Sequence, residues 1–261
     1  MAQVVFDIGG TNMRLAVVEN GNLSHIKKMS TPEEPSAAME AIEAYLSEVD
    51  VNPESIAGGV PGTVRDGKLI RLGNLPKWDG FDLADELQKV VNDSVQVLND
   101  ADLEGLGEAR VGAGEGKRIV AYITVGTGVG GTHVIDGESV LHAEGIEPGQ
   151  QIIDFESGRT LENLVGGAAL FAETGKQPEE RSREFMKERT KVLAVGLYNT
   201  IRLWSPDILV LNGGLINDED GFVFSDIETE LKELIAHRHM PILARAKFGD
   251  EAGLYGAMTL L

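Results

Sequence analysis

Short apolar runs alternate along the chain with longer stretches in which apolar positions recur every three or four residues. Val4 to Asp7, then Ile8-Gly9-Gly10-Thr11, Leu15 to Val18 and Asn20-Gly21 predict strand, glycine turn, strand and a tight turn. Ala37, Ala38, Met39, Ile42, Tyr45, Leu46 and Val49 share one face of a helix that the Asn52-Pro53 pair must end. A strand from Ile56 to Val60 meets Pro61-Gly62, a helix spans Leu83 to Val91, and a strand from Val95 to Leu98 leads into a helix after Asp100. Ile119 to Val125 is the next strand; it runs into Gly126-Thr127-Gly128-Val129-Gly130-Gly131, after which a partner strand is expected from Thr132 to the turn at Asp136-Gly137. A long helix follows Pro178 toward Trp204, a strand from Ile208 to Leu211 ends at Gly213-Gly214, and a helix closes the chain from about Asp250. Strands alternating with helices define an α/β protein.

The best break in this pattern is Gly112-Ala113-Gly114-Glu115-Gly116. It predicts two domains, residues 1–112 with a closing helix at 249–261, and residues 113–248. Gly9-Gly10-Thr11 and Gly130-Gly131-Thr132 each lie between strand-like runs, one set in each half, which suggests an internal duplication.

Charge narrows the function. The 261 residues carry 23 Lys and Arg against 42 Asp and Glu, a net charge of -19. Such a surface repels nucleic-acid phosphates and anionic lipid, so neither nucleic acid nor membrane is the expected partner. There is no cysteine, which removes disulfides, thiolate nucleophiles and thiolate zinc sites. With no leader-like N-terminus and no long apolar run, a cytoplasmic protein is expected. Glycine, at 32 residues, is abundant without a fibrous period, which directs attention to its clusters.

Gly126, Gly128 and Gly131 fit G-x-G-x-x-G, but a dinucleotide turn must open a helix, and Thr132 to Ile135 reads as a strand. No P-loop, nucleophile elbow or H-E-x-x-H is present. What remains is two glycine hairpin turns, either plain tight turns or pairs of backbone N–H groups aimed at a polyphosphate. Asp7 interrupts an apolar strand and needs either a metal ion beside the phosphates or strand-end hydrogen bonds. Asp100 is placed to cap the following helix, or to act as a base.

Taken in order, these segments resemble the ROK family of sugar kinases and repressors, within the actin, hsp70 and hexokinase superfamily. Asp7-Ile8-Gly9-Gly10-Thr11-Asn12 through Arg14 is similar to its first phosphate loop. Gly59-Val60-Pro61-Gly62 and Asn74-Leu75-Pro76-Lys77-Trp78 are similar to its sugar-side loops, and Asn99-Asp100-Ala101 to its catalytic segment. Thr127-Gly128-Val129-Gly130-Gly131 resembles the second phosphate loop, Gly213-Gly214 the adenosine-side turn, and Phe248 to Leu254 the start of the closing helix.

The resemblance implies a two-domain ribonuclease-H-like α/β fold with a cleft, binding a hexose and MgATP, and a homodimer. It implies that Asp100 is the general base, that Pro61, Gly62, Asn99, Asp100, Glu147, Gln150 and Glu162 bind sugar, and that Asp7 serves Mg²⁺, directly or through water. Gly9, Gly10, Thr11, Asn12, Arg14, Thr127, Gly128, Gly130, Gly131, Gly213 and Gly214 would bind ATP. Glu147 also reads as a solvated loop charge, and Glu162 as a first-turn helix residue. Gln150 stands where the family carries His, and the family's cysteine-rich zinc loop is missing, so no zinc is expected. Glucose is the implied acceptor by family frequency, with an N-acetylated hexosamine, mannose or fructose as alternatives. A catalytically idle sugar sensor is the reading from another class.

Overall fold

The computed structural model describes residues 2–73, 75–140 and 145–261; Asn74 of the sugar-side loop lies outside the described residues. The chain forms two compact units, one of Met1–Gly107 with Glu251–Leu261 and one of Glu108–Asp250.

In the first unit β1 (Gln3–Ile8), β2 (Asn12–Glu19) and β3 (Asn22–Ser30) form an antiparallel meander. Asn20 and Gly21 both take positive φ, the two-residue turn that the sequence predicts between the last two strands. Helix α1 (Pro35–Glu48) begins at a proline, whose missing N–H is harmless in a first turn, and buries Ala38, Met39, Ile42, Tyr45 and Leu46. Then come β4 (Ser55–Val60), the ribbon β5 (Thr63–Arg65) and β6 (Lys68–Arg71), α2 (Leu83–Gln88), β7 (Ser94–Asn99) and α3 (Asp100–Val111). Helix α2 stops short of the predicted Val91 because Lys89 and Val90 donate three residues back, to Glu86 and Leu87, tightening the chain into a turn. The five strands are ordered β3-β2-β1-β4-β7, with β1, β4 and β7 parallel.

The second unit contains β8 (Ile119–Val125), β9 (Val129–Ile135), β10 (Glu138–Ser139), the hairpin β11 (Ile152–Asp154) and β12 (Arg159–Thr160), α4 (Leu161–Val165) and α5 (Gly167–Thr174). It continues through α6 (Arg183–Trp204), capped by Ser182, then β13 (Ile208–Asn212), α7 (Gly214–Asn217), α8 (Phe224–Ile235) and β14 (Ile242–Arg245). The final helix, α9 (Ala252–Met258), returns to the first unit. The sheet order β10-β9-β8-β13-β14 repeats the first, antiparallel through β8, β9 and β10 and parallel through β8, β13 and β14. The predicted duplication is therefore present, as the same five-stranded topology built twice.

Its equivalences differ from the sequence reading. The β8–β9 turn is Gly126-Thr127-Gly128, and β9 starts at Val129, not at Thr132. Gly130 and Gly131 are strand residues opposite Thr124 and Ile123. Gly131 is required for packing, because a Cβ there would lie 2.4 Å from the Tyr122 carbonyl oxygen and 3.0 Å from Pro148. The glycine run Gly112 to Gly116 is likewise no slack linker, since Ala113 N–H donates to Glu108 Oε2 at 2.8 Å.

Strand alternation decides which side chains meet. Val4, Phe6 and Ile8 pack with α1 on one face of the first sheet, and Val5 faces Leu103 of α3 and Leu254 of α9 on the other. Asp7 shares the face of Val5, under α9. In the second unit Ala121, Ile123, Val125, Leu209 and Leu211 pack with α6 and α8, which leaves Tyr122 and Asn212 on the opposite face. Among the described residues no helix is long and apolar enough to cross a membrane.

Candidate active site

The carboxyl ends of β1, β4 and β7 lie side by side, with Asp7 in register with Gly59 and Gly59 with Leu98. Ligand sites in α/β sheets form at such ends. Asp7 is almost fully buried, and Arg14, opposite it on β2, places Nη1 3.4 Å from Asp7 Oδ2. The sequence reading offered metal or backbone hydrogen bonds for Asp7 and missed this ion pair. Gly253 makes room above it, because a Cβ at 253 would lie 2.7 Å from Asp7 Cγ.

Beside Asp7, Gly59 admits the start of α3, for a Cβ there would lie 3.2 Å from Asp100 Cα. The helix cap belongs to Asn99, not to Asp100. Asn99 Oδ1 accepts the N–H of Asp102 at 3.1 Å, and Asn99 Nδ2 donates to the Gly62 carbonyl at 2.9 Å. Asp100 is thereby left at the first helical position, with Oδ1 accepting the N–H of Ala101 at 2.8 Å. Burial raises its pKa, the Asp102 charge adds to the rise, and the hydrogen bond from Ala101 opposes it. Gly62 itself needs glycine, with φ +82 and a Cβ position 2.2 Å from the Arg71 carbonyl oxygen. Pro61 precedes it, half-buried at the end of β4. Nearby, buried Trp78 donates Nε1–H to the Pro32 carbonyl at 3.3 Å, and exposed Lys77 reaches Glu33 and Glu34.

The two glycine turns are built alike. In the first, Gly9 N–H donates to the Asn12 carbonyl, while the Gly9 and Thr11 carbonyls accept from Thr31 Oγ1 at 2.6 Å and Thr31 N–H at 2.9 Å. In the second, Gly126 N–H donates to the Gly128 carbonyl, and the Gly126 and Thr127 carbonyls accept the N–H groups of Gly167 at 2.8 Å and Ala168 at 2.9 Å. In both, carbonyls are turned into the protein and the amides at the tip, of Gly10 and Thr11 and of Thr127 and Gly128, meet no protein acceptor among the described residues. Such a turn offers donors to an anion without presenting carbonyl oxygens to it.

The second turn is crowded by polar neighbours. Glu162, in the first turn of α4, accepts Val129 N–H at 2.9 Å on Oε2, and a Cβ at Gly128 would stand 2.4 Å from that oxygen. Gln150 Nε2 donates to Glu162 Oε1 at 3.3 Å from a single 3-10 turn, Pro148–Gln150, which begins after Glu147. Exposed Glu147 contributes its carbonyl, which accepts Gln150 N–H at 3.0 Å. The structure thus brings Gln150 and Glu162 together, with Glu147 at the start of the same turn as Gln150. Gly213-Gly214 joins the same end of the sheet, as Gly213 has φ +96 and a Cβ position 2.4 Å from the Val125 carbonyl oxygen. Gly130 and Gly131 are not brought to the turn.

Several residues of this arrangement escaped the sequence reading. Gly166-Gly167 starts α5 directly on the turn, where a Cβ at 167 would lie 2.8 Å from the Gly126 carbonyl oxygen. The paired glycines ahead of an apolar run were a visible signal for it. Thr31 and Gly253 gave none, since their partners are distant in sequence.

Two α/β units of one repeated sheet topology, each with an amide-presenting hairpin turn, define the class: the ribonuclease-H-like fold of actin and hexokinase. The chain belongs to the ROK family, matching it over residues 3–261. It is 29% identical to an N-acetyl-D-glucosamine kinase of Shigella flexneri serotype 5b, covering 98% of this chain and 97% of that protein. The ROK hexokinase from Thermus thermophilus has a TM-score of 0.82 at 26% identity, over 99% of this chain and 97% of that one. A ROK family glucokinase from Streptomyces griseus, solved with glucose and AMPPNP, has a TM-score of 0.81 at 25% identity, over 100% and 99% of the two chains.

Proposed function

We propose that the chain is an ATP-dependent hexose kinase, a phosphotransferase with an alcohol group as acceptor, in which Asp100 is the general base. The observation that carries this reading is the division of labour between Asn99 and Asp100. Asn99 caps α3 and ties down Gly62, so Asp100 is held at a strand end with a raised pKa and is not the N-cap. A carboxylate whose burial makes it more basic is suited to take a proton from a sugar hydroxyl.

In this reading Asn99, Asp100, Pro61 and Gly62 are sugar-binding residues, and so are Glu147, Gln150 and Glu162. The tip amides of both glycine turns receive the transferred and remaining phosphates, and Gly213-Gly214 admits the adenosine side. There is no P-loop lysine, so charge stabilisation falls to backbone N–H groups, to Arg14 and to a metal. Among the described residues no three His, Cys, Asp or Glu gather in a way that could hold a metal ion. One buried carboxylate, Asp7, with phosphate oxygens and water suits Mg²⁺, which seldom relies on an all-protein cage. Bound there, Mg²⁺ would supply Lewis-acid charge neutralisation on the phosphates.

The names of relatives support more than one acceptor, since the Shigella protein is an N-acetyl-D-glucosamine kinase and the Streptomyces one a glucokinase. We take glucose as the acceptor, with an N-acetylated hexosamine, mannose or fructose as the alternatives. A coupled assay over these sugars, with ATP and polyphosphate as donors, is the test. Turnover of one hexose well above the others is expected. Nucleotide or sugar binding without phosphorylation of any of them would favour the idle sugar sensor.

A further inference from the structure

Two buried polar side chains, neither of them part of the site above, converge on Lys247–Gly249, the stretch that joins β14 to the turn before α9. Glu108 has no solvent exposure. Its Oε2 accepts the N–H groups of Ala113 at 2.8 Å and Lys247 at 3.1 Å, and its Oε1 accepts that of Phe248 at 3.0 Å. Asn212, 3% exposed at the end of β13, donates through Nδ2 to the Gly249 carbonyl at 3.1 Å and to the Tyr122 hydroxyl at 2.8 Å. Its Oδ1 accepts Asn217 Nδ2 at 2.8 Å. A packed apolar side chain would fill either position with less desolvation cost. What a carboxylate and an amide add is a fixed place for the backbone they bond.

That backbone has an address at each end. Asn212 and Asn217 flank Gly213-Gly214, so the network spans the adenosine-side turn. Beyond Gly249 the chain enters α9, where Gly253 lies against Asp7 and Gly256 against α3, at Gly107 and Leu103. Gly107 immediately precedes Glu108. The bonded path therefore runs from Gly213-Gly214 through Asn212 to Gly249, and along the chain to the helix that covers Asp7.

We propose that Glu108 and Asn212 are positioning residues that make Lys247–Gly249 a strut, through which nucleotide on the Gly213-Gly214 turn orders α9 over Asp7. The choice of nucleotide as the ligand rests on the kinase reading. A ligand that fixes the turn fixes Asn212 between Asn217 and the Gly249 carbonyl, and the segment bonded to Asn212 loses freedom with it. Glu108 holds the other end of the same segment, so the restriction passes on to α9.

The test is amide hydrogen exchange on the full chain, with and without Mg²⁺ and AMPPNP, in wild type, Asn212→Asp, Glu108→Gln and Asn217→Ala. Asn212→Asp sets an oxygen against the Gly249 carbonyl, and Glu108→Gln sets an NH₂ against N–H donors. Asn217 is exposed, so its truncation leaves the core intact. In wild type the nucleotide should slow exchange by about threefold or more both at 213–217 and at 252–258. In Asn212→Asp and Glu108→Gln the slowing should persist at 213–217 and be lost at 252–258, and Asn217→Ala should reduce it there. No slowing at 252–258 in wild type, for any reason, overturns the proposal, as does full slowing in the variants. Should the two core variants fail to fold, Asn217→Ala decides alone. Phosphorylation measured on the same wild-type protein separates the two ideas. Sugar phosphorylation without a response in α9 sinks only the strut, and a response in α9 without phosphorylation of any hexose sinks only the kinase reading.

Discussion

Asn99 donates through Nδ2 to the carbonyl oxygen of Gly62 at 2.9 Å while its Oδ1 caps α3, so one side chain fixes both the loop after β4 and the helix that begins with Asp100. The two duties separate by mutation. Serine caps a helix about as well as asparagine but is too short to reach Gly62. Asn99→Ser should stay within about 0.5 kcal/mol of wild-type stability and raise the KM for sugar. Asn99→Ala should raise the same KM and lose about 1 kcal/mol in addition. Thermal unfolding beside sugar-dependent kinetics measures both, and equal stability of the two variants would remove the cap from the account.

Asp100 gives a pH signature. Its folded pKa is raised, first by burial, above the ordinary carboxylate value of about 3.9. The stability it contributes is therefore present below the unfolded pKa and is lost as pH rises through the folded one. At neutral pH the charged side chain destabilises the fold. Asp100→Asn should accordingly melt higher than wild type at pH 7, with the advantage shrinking as the pH falls through the raised value. The same substitution should lower kcat by roughly 10² to 10⁴ and abolish the acid limb of kcat/KM, which in wild type should lie above the usual carboxylate range. Near-wild-type turnover would end the assignment of Asp100 as base.

Much of the frame was legible in the chain because its signals are local. The meander from Val4 to Asn20-Gly21, the face of α1 and the strands ending at Pro61 and Asn99 follow from alternation, helical spacing and turn residues within a few positions. Failures came where the partner is far away in sequence. Gly131 was taken for a turn because nothing nearby shows that Pro148 packs on it. A cap was one of two roles open to Asp100 because Asp caps well, but Asn99 precedes it and takes that place. Asp7 looked unpartnered because Arg14 comes opposite it only when β1 and β2 pair. Glu108, buried and bonded only to backbone among the contacts described above, looks in sequence like any helical charge.

Gln150 and Glu162 provide a test of the sugar side. The amide Nε2 lies 3.3 Å from Glu162 Oε1, while Glu162 Oε2 is occupied by Val129 N–H. Gln150 therefore holds the carboxylate through its NH₂, and in the proposed reading its carbonyl receives a sugar hydroxyl. Gln150→Ala should lower kcat/KM by about 1 to 3 kcal/mol, mainly through KM, and by unequal amounts for glucose, mannose, fructose and N-acetylglucosamine. An amide does not titrate, whereas Gln150→His introduces a group near pH ~6.5 and should add an acid limb there. Losses below about twofold on all four sugars would put Gln150 outside the sugar site.

Gly253 and Asp7 oppose a general tendency, and the opposition fixes a sign. Alanine is favoured over glycine inside a helix by about 1 kcal/mol, so Gly253→Ala in α9 would ordinarily stabilise. Here the new Cβ would stand 2.7 Å from Asp7 Cγ and 2.9 Å from Oδ1. Asp7 has little room to yield, being short, buried and paired with Arg14. Overpacking of this kind costs about 1 to 3 kcal/mol, enough to cancel or exceed the gain in propensity. Gly253→Ala should therefore be neutral to destabilising and should raise the Mg²⁺ concentration needed for half-maximal activity, as Asp7→Ala should. With the carboxylate removed the two shortest contacts go, and the Cβ of residue 7 remains 3.1 Å away. Gly253→Ala should therefore cost less in the Asp7→Ala background than in wild type, by about 1 kcal/mol. Unfolding midpoints of the four proteins measure it, and a second substitution that destabilises both backgrounds equally would show that Gly253 serves something other than Asp7.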